Sequence, residues 1–235
     1  MSEVWPDGVR VVGETGSTNA DLAAWSDAAE GAVVVALAQS AGRGRLGRAW
    51  ITQPDGLAMS ILLTPTLPTP RWPLIGLVAG VSIADALGDP VKLKWPNDLV
   101  TADGGKLGGI LAEADVLAGR VIVGIGLNLG SRPPIDGAAC VADVVAAPPR
   151  TWLVAAIRAR LLSDVAALAA PGGPGRVLDR WRARAHTLGR RVRVGERVGV
   201  AVDLDHDGAL LLRDDGGVTH RVLSGDVAPS GVRPG

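Results

Sequence analysis

The sequence predicts an α+β fold: a mixed, largely antiparallel sheet with helices, followed by a small C-terminal β-barrel. Three observations carry that prediction. Apolar runs at 31–38, 56–63 and 120–129 are short, rich in strand formers and bounded by turn residues, as buried strands are. Helical patterns at 72–87, 151–170 and 176–184 do not alternate with them in the regular way a parallel sheet demands. From 190 onward, short strand patterns succeed one another across glycine-bearing turns.

The elements follow in order. Residues 9–13 read as a strand. Thr18 with Asp21 matches a capping box opening a helix over 20–25. The strand at 31–38 feeds a loop dense in glycine and arginine, and 56–63 is the next strand. After a proline-rich connection at 65–73, the helix at 72–87 is apolar almost all round and therefore buried. A short strand at 91–94 runs into the turn Trp95-Pro96-Asn97-Asp98, and 99–101 is extended again. Asp103-Gly104-Gly105 is a hairpin turn. Residues 106–116 and 120–129 form a further hairpin, and 132–137 a loop. The last two helices are separated by a break at 171–175. The tail strands fall at 190–194, 197–205, 209–213 and 218–222. The boundary is placed at Leu188-Gly189, giving domains 1–188 and 189–235.

With 235 residues, 47% of them hydrophobic, the chain can bury a sizeable core. Lys+Arg and Asp+Glu balance at 24 each, which argues against bulk attraction to nucleic acid or membrane. Any concentration of positive charge is therefore local. Cys140 is the single cysteine, which excludes an internal disulfide framework and a cysteine zinc site. Residues 1–7 lack the basic start and apolar core of a signal peptide, and the apolar stretch 73–84 is too short to span a bilayer. These features lead us to expect a soluble cytoplasmic protein with no membrane partner.

The local concentration of charge is Gln39-Ser40-Ala41-Gly42-Arg43-Gly44-Arg45-Leu46-Gly47-Arg48-Ala49-Trp50. Glycine lets a ligand approach backbone closely, and arginine supplies a permanently charged donor fork. Such a loop is suited to something small and anionic. The chain otherwise prefers arginine, yet its three lysines, Lys92, Lys94 and Lys106, stand close together. Gly42-x-Gly44-x-x-Gly47 matches the dinucleotide fingerprint by letter only, because no acidic residue follows at the ribose position. There is no Walker loop and no nucleophile elbow, and His186, His206 and His220 lack metal spacing. Ser17-Thr18-Asn19 reads either as helix capping or as a polar face toward a ligand. Trp95 reads equally as core, and Asn97-Asp98 as turn chemistry.

Taken together, four motifs resemble the biotin–protein ligases in order and spacing. They are Gly42-Arg43-Gly44-Arg45-x-Gly47-Arg48-x-Trp50, Lys94-Trp95-Pro96-Asn97-Asp98, Gly105-Lys106-Leu107-x-Gly109-Ile110-Leu111 and Gly124-Ile125-Gly126-Leu127-Asn128, with Ser17-Thr18-Asn19 ahead of them. The likeness is strong over 9–130 and rests on layout alone in the tail. It implies the biotin–lipoate ligase catalytic fold, similar to class II aminoacyl-tRNA synthetases, with an SH3-like barrel appended. It implies ATP-dependent activation of biotin to biotinyl-5′-AMP, then transfer to one lysine of a biotin carboxyl carrier protein or domain of an acyl-CoA carboxylase. Biotin and ATP are the substrates, and magnesium is expected.

By that resemblance, Lys106, Arg45 and Arg48 are the catalytic residues. Ser17, Thr18, Asn19, Gln39, Gly42, Arg43, Gly44, Arg45, Lys106, Gly108 and Gly109 bind biotin and the adenylate. Arg48, Trp50, Asn97 and Asn128 fall on the nucleotide side. Asp98 is a candidate magnesium ligand, Arg233 a candidate to reach the nucleotide, and 129–149 the region that would cover adenine. The charges suit the chemistry, because a carboxylate and an α-phosphate, both anionic, must meet. Only sixteen residues precede Ser17, too few for a helix-turn-helix module, so neither DNA binding nor repression is expected. A monomer or weak homodimer is expected. The runner-up is a lipoate–protein ligase; a basic-loop nucleic-acid-binding module is disfavoured by neutral charge and the absence of Tyr and Phe.

Overall fold

The computed structural model describes residues 4–230. Its strands are β1 (Val9–Thr15), β2 (Val33–Gln39), β3 (Leu57–Leu63), β4 (Lys92–Lys94), β5 (Asp98–Val100), β6 (Lys106–Asp115), β7 (Arg120–Leu127), β8 (Arg191–Val194), β9 (Arg197–Leu204), β10 (Leu210–Arg213), β11 (Thr219–Val222) and β12 (Val227–Pro229). The helices are α1 (Thr18–Ala24), α2 (Leu74–Leu87), α3 (Arg150–Leu168) and α4 (Gly173–Ala183). A seven-stranded sheet has the order β1-β2-β3-β7-β6-β5-β4. Only β1 and β2 run parallel, joined by the crossover helix α1, and the other neighbours pair antiparallel. The sheet is thus mixed and largely antiparallel, as expected.

Both faces of the sheet are covered. On one, α2, α3 and α4 build the main core with Met59, Ile61, Ile75, Val78, Leu153 and Trp181. On the other, Leu22 of α1 packs with Ala32, Val34, Leu62 and Ile122. β3 is buried along its whole length, which is why its sequence shows no apolar–polar alternation. Ser60 is its polar exception, with no exposed surface. α2 is enclosed by the sheet, α3 and α4, which accounts for its apolar circumference.

The tail forms a five-stranded antiparallel sheet, order β11-β10-β9-β8-β12. β12, which pairs with β8, was not expected from sequence; it is three residues long and carries no periodicity. The two sheets share one buried cluster, which includes Val192, Leu204, Leu210 and Leu212. Trp95, 2% exposed, stands at the junction. Its indole donates to the Gly208 carbonyl at 3.0 Å, and its backbone N–H to Thr187 Oγ1 at 2.8 Å. Trp95 is therefore a core residue that seats the tail on the larger sheet.

Two local expectations are corrected. The N-cap of α1 is Ser17, not Thr18, and no side chain caps the helix; the Thr18 hydroxyl is committed elsewhere. α4 begins at Gly173, inside the expected break, because Pro174 falls in its first turn, where a missing N–H costs nothing. Among the described residues no helix is long and apolar enough to cross a membrane. Arg233 lies outside the described residues.

Gly108 and Gly76 test the packing in opposite directions. A Cβ on Gly108 would stand 2.5 Å from the Gly126 carbonyl and 2.5 Å from Leu127 Cδ2, whereas one on Gly76 would meet nothing within 4 Å. Gly108→Ala is expected to destabilise the protein by about 1–3 kcal/mol through overpacking. Gly76→Ala is expected to stabilise it by about 0.5–1 kcal/mol through helix propensity. Urea unfolding midpoints check both.

Candidate active site

A cleft of about 280 Å³ opens where the start of α1, the end of β2, the arginine loop, β6 and β7 converge. Its two ends differ in chemistry. One end is lined by neutral side chains and heavily hydrogen-bonded, with the Glu113 carboxylate behind it. The Gln39 Oε1 accepts from the Thr18 N–H at 3.0 Å and lies 3.3 Å from the Thr18 hydroxyl. Its Nε2 donates to Thr52 Oγ1 at 3.2 Å. Ser60 Oγ stands 2.7 Å from Thr18 Oγ1 and 2.5 Å from Asn19 Oδ1. Asn19 Nδ2 donates to Glu113 Oε2 at 2.6 Å. These side chains hold one another, so their rotamers are set before any ligand arrives.

The other end is cationic. Lys106 Nζ is 2.7 Å from Asp98 Oδ1, with side chains 38% and 19% exposed. Arg45 Nη1 donates to Asn97 Oδ1 at 3.2 Å and faces the Gly225 carbonyl at 3.4 Å. Arg48 Nη2 pairs with Asp226 Oδ1 at 2.8 Å. Arg43 lies 3.5 Å from Glu113 Oε1. Ion pairs this exposed contribute at most about 1 kcal/mol each. A ligand anion can therefore replace any of the carboxylates at little cost.

Glycines of β7 shape the floor. A Cβ at Gly124 would collide with the Asn19 amide, and one at Gly126 with the Trp50 ring. Trp50 lines the cleft, and its Nε1 is buried with no hydrogen-bond partner among the described residues. Asn128, 2% exposed, donates to the Lys106 carbonyl at 3.2 Å and the Ala139 carbonyl at 3.0 Å. It ties segment 137–141 to β6, where Lys106 N–H also donates to the Gly137 carbonyl at 2.7 Å. The same segment is anchored by Asp143. The Arg132 guanidinium, followed by the Cys140 N–H, holds its carboxyl down at about 2. Burial pushes the Cys140 thiol up, consistent with an inert packed side chain. Among the described residues, the group of metal-ligand side chains within reach of one another is Asp205, His206 and Asp207, in the tail, where Arg221 already neutralises both carboxylates.

The profile of the "Biotin/lipoate A/B protein ligase family" matches residues 10–128, and that of the "Biotin protein ligase C terminal domain" matches 187–228. The chain belongs to the biotin/lipoate protein ligase family. It is 40% identical to a biotin–[acetyl-CoA-carboxylase] ligase of Mycobacterium tuberculosis, over 92% of this chain and 87% of that one. It is 31% identical to the Paracoccus denitrificans enzyme of the same name, over 88% and 95%. The structure superposes on biotin protein ligase from Aquifex aeolicus in complex with biotin and ATP with a TM-score of 0.82 and 28% identity, over 94% of this chain and 98% of that chain.

Of the family motif residues singled out in the sequence, the cleft gathers Ser17, Thr18, Asn19, Gln39, Arg43, Gly44, Arg45, Arg48, Trp50, Asn97, Lys106, Gly109 and Asn128 in its lining. Gly42 and Gly108 stand outside it. Gly42 lacks a side chain because a Cβ would stand 2.5 Å from the Trp50 carbonyl, where the loop folds back on itself. Gly108 faces β7 rather than the cleft. Asn97 Nδ2 donates to the Ile110 carbonyl at 2.8 Å, which seats the 95–98 turn against β6. Asp98 is beside the cleft and held by Lys106. Sequence reasoning missed Ser60 and Glu113 as parts of this site, whereas segment 133–138, which lines the cleft, falls inside the 129–149 region expected to cover adenine. A lone serine inside the apolar run of β3 was the available signal for the first.

The Asp143 anchor has a definite pH signature. Its folded value is lowered from 3.8, so its contribution is present above about 4 and is lost as pH falls toward about 2. Asp143→Asn is expected to lower the urea midpoint at pH 6, and the gap from wild type should narrow steadily between pH 4 and 2. A gap independent of pH would contradict this assignment.

Proposed function

We propose that this chain is an ATP-dependent biotin–protein ligase. It would form biotinyl-5′-AMP and pass the biotinyl group to one lysine of a biotin carboxyl carrier protein or domain; the names of two relatives give acetyl-CoA carboxylase as the protein acted on. The observation that carries the reading is the polarity of the cleft, uncharged at one end and cationic at the other. Biotin has that polarity too, with a neutral ureido ring at one end and a carboxylate at the other. The ureido ring sits against Thr18 and Gln39, and the carboxylate reaches Lys106.

Activation brings the biotin carboxylate to the α-phosphorus of ATP. The carboxylate oxygen forms a bond to phosphorus as the bond to pyrophosphate breaks. Both partners are anions, so fixed positive charge lowers the barrier chiefly by electrostatic stabilisation. Lys106 exchanges Asp98 for the reacting centre. Arg45 and Arg48 take the phosphates and the departing pyrophosphate, while Trp50, Asn97 and Asn128 border the nucleotide. The buried Trp50 N–H is a donor in need of an acceptor. The arginine loop closes over the adenylate and keeps water from a labile mixed anhydride. In transfer, the acceptor's lysine amine attacks the biotinyl carbonyl and AMP leaves with the bonding pair.

Magnesium is expected to enter on the phosphates of ATP. Asp98, paired with Lys106 until the substrates arrive, would be the carboxylate offered to the ion, and no step is assigned to it. Residues 1–188 form the catalytic unit in this reading, and 189–235 an appendage that supplies Gly225 and Asp226 to the loop. The lone buried cysteine fits work in the cytoplasm.

Lys106→Ala is expected to reduce biotin-dependent pyrophosphate release by at least about 100-fold, the scale of losing one preorganised charge at a reacting centre. Near-normal release would overturn the assignment. The wild-type protein should also transfer biotin to a carrier domain only with ATP, and not to a carrier whose acceptor lysine is replaced.

A further inference from the structure

Glu113 has no part in the chemistry above. It stands on β6 beyond the last residue that β5 pairs, Gly109, and beside the arginine loop. We propose that Glu113 is a positioning residue. It sets the donor–acceptor direction of a buried hydrogen-bond chain that ends at Thr18, and so presents the Thr18 hydroxyl to the substrate as an acceptor. The proposal rests on the biotin reading and deepens it.

The direction follows from what each group can donate. An ionised carboxylate accepts only. Asn19 must therefore turn its amino group to Glu113 Oε2, 2.6 Å away, with the Leu111 carbonyl at 3.4 Å as a second acceptor. That leaves Asn19 Oδ1 pointing at Ser60 Oγ, 2.5 Å away. An amide oxygen cannot donate, so the Ser60 proton is spent there. Ser60 Oγ then accepts from the Thr18 hydroxyl at 2.7 Å. The rival acceptor for the Thr18 proton, Gln39 Oε1, is farther at 3.3 Å and already accepts the Thr18 N–H. Thr18 and Asn19 are each 4% exposed and Ser60 not at all, so bulk water does not reset the chain.

The consequence is selectivity. A group meeting Thr18 must bring an N–H or O–H donor. The ureido ring of biotin carries two N–H groups, and the dithiolane ring of lipoate carries none. Glu113 thus acts at a distance on which acid is accepted. Its second oxygen, 3.5 Å from Arg43, adds a weak, screened tether on the loop.

The test uses Glu113→Gln and Glu113→Ala in the full chain. The Glu113 side chain is 42% exposed, so neither change opens a buried void. Glutamine keeps the shape but can offer Asn19 either end of its amide, so the direction is no longer enforced. Titration with biotin and with biotin methylated on its ureido nitrogens reads the effect, beside KM for ATP. Both variants should bind biotin roughly tenfold more weakly, with KM for ATP unchanged, the size expected for one charge-assisted hydrogen bond. The preference for biotin over the methylated form should shrink in both, which a merely structural role would not produce. Unchanged biotin affinity, or an unchanged preference, in variants of a wild type that binds biotin overturns this proposal alone. A wild type that binds no biotin overturns the reading beneath it.

Discussion

Arg43, Arg45, Arg48 and Lys106 must stand close together before any anion is present to reconcile them. Like charges at such range repel strongly wherever water is partly excluded. The structure gives each its own provisional partner: Glu113, the Asn97 and Gly225 oxygens, Asp226 and Asp98 respectively. The partners come from β6, the 95–98 turn, the tail and β5. This explains why those elements surround the loop. The Arg43 and Arg48 pairs are about half exposed and weak, so those cations remain available. Two of the partners, Gly225 and Asp226, come from the connection between β11 and β12, so the C-terminal part of the chain belongs to the site and does not merely follow it.

The uncharged end is built by a different means. It depends on side chains so thoroughly hydrogen-bonded to each other that the Thr18, Asn19 and Gln39 groups are held in place. Glycines at 124 and 126 in β7 leave room for Asn19 and Trp50 on a strand whose other positions are mostly core. The strand thus serves packing on one face and the cleft on the other.

Much of this was legible in the sequence, because motifs whose residues touch a ligand or turn a strand are local. The large strands, the enclosed helix α2 and nearly all the cleft's charged residues follow from runs and spacings. What was not legible arises from long-range pairing. β12 exists because β8 offers it an edge. Thr18 is followed by a capping-box acid, yet tertiary contacts with Gln39 and Ser60 claim its hydroxyl. Asp226 and Glu113 acquire meaning only when the tail and β6 are brought beside the arginine loop. No local pattern marks either residue.

The arginine loop is the least secured part of the site. Leu46 at its tip adopts φ 57°, a left-handed conformation costly for a leucine, and is 75% exposed. Its side chains are tethered by the weak pairs already described, while its backbone closes on itself through Gly44 N–H to the Arg48 carbonyl and Trp50 N–H to the Gly42 carbonyl, so the arginines can turn to an occupant of the cleft. That occupant must be neutral at one end and anionic at the other, with donors for the neutral end. Isothermal titration of the wild-type protein with biotin and, separately, with lipoate tests this claim most directly. Saturable binding of biotin and none of lipoate at matched concentrations is the expected result; tight binding of lipoate with none of biotin would contradict it.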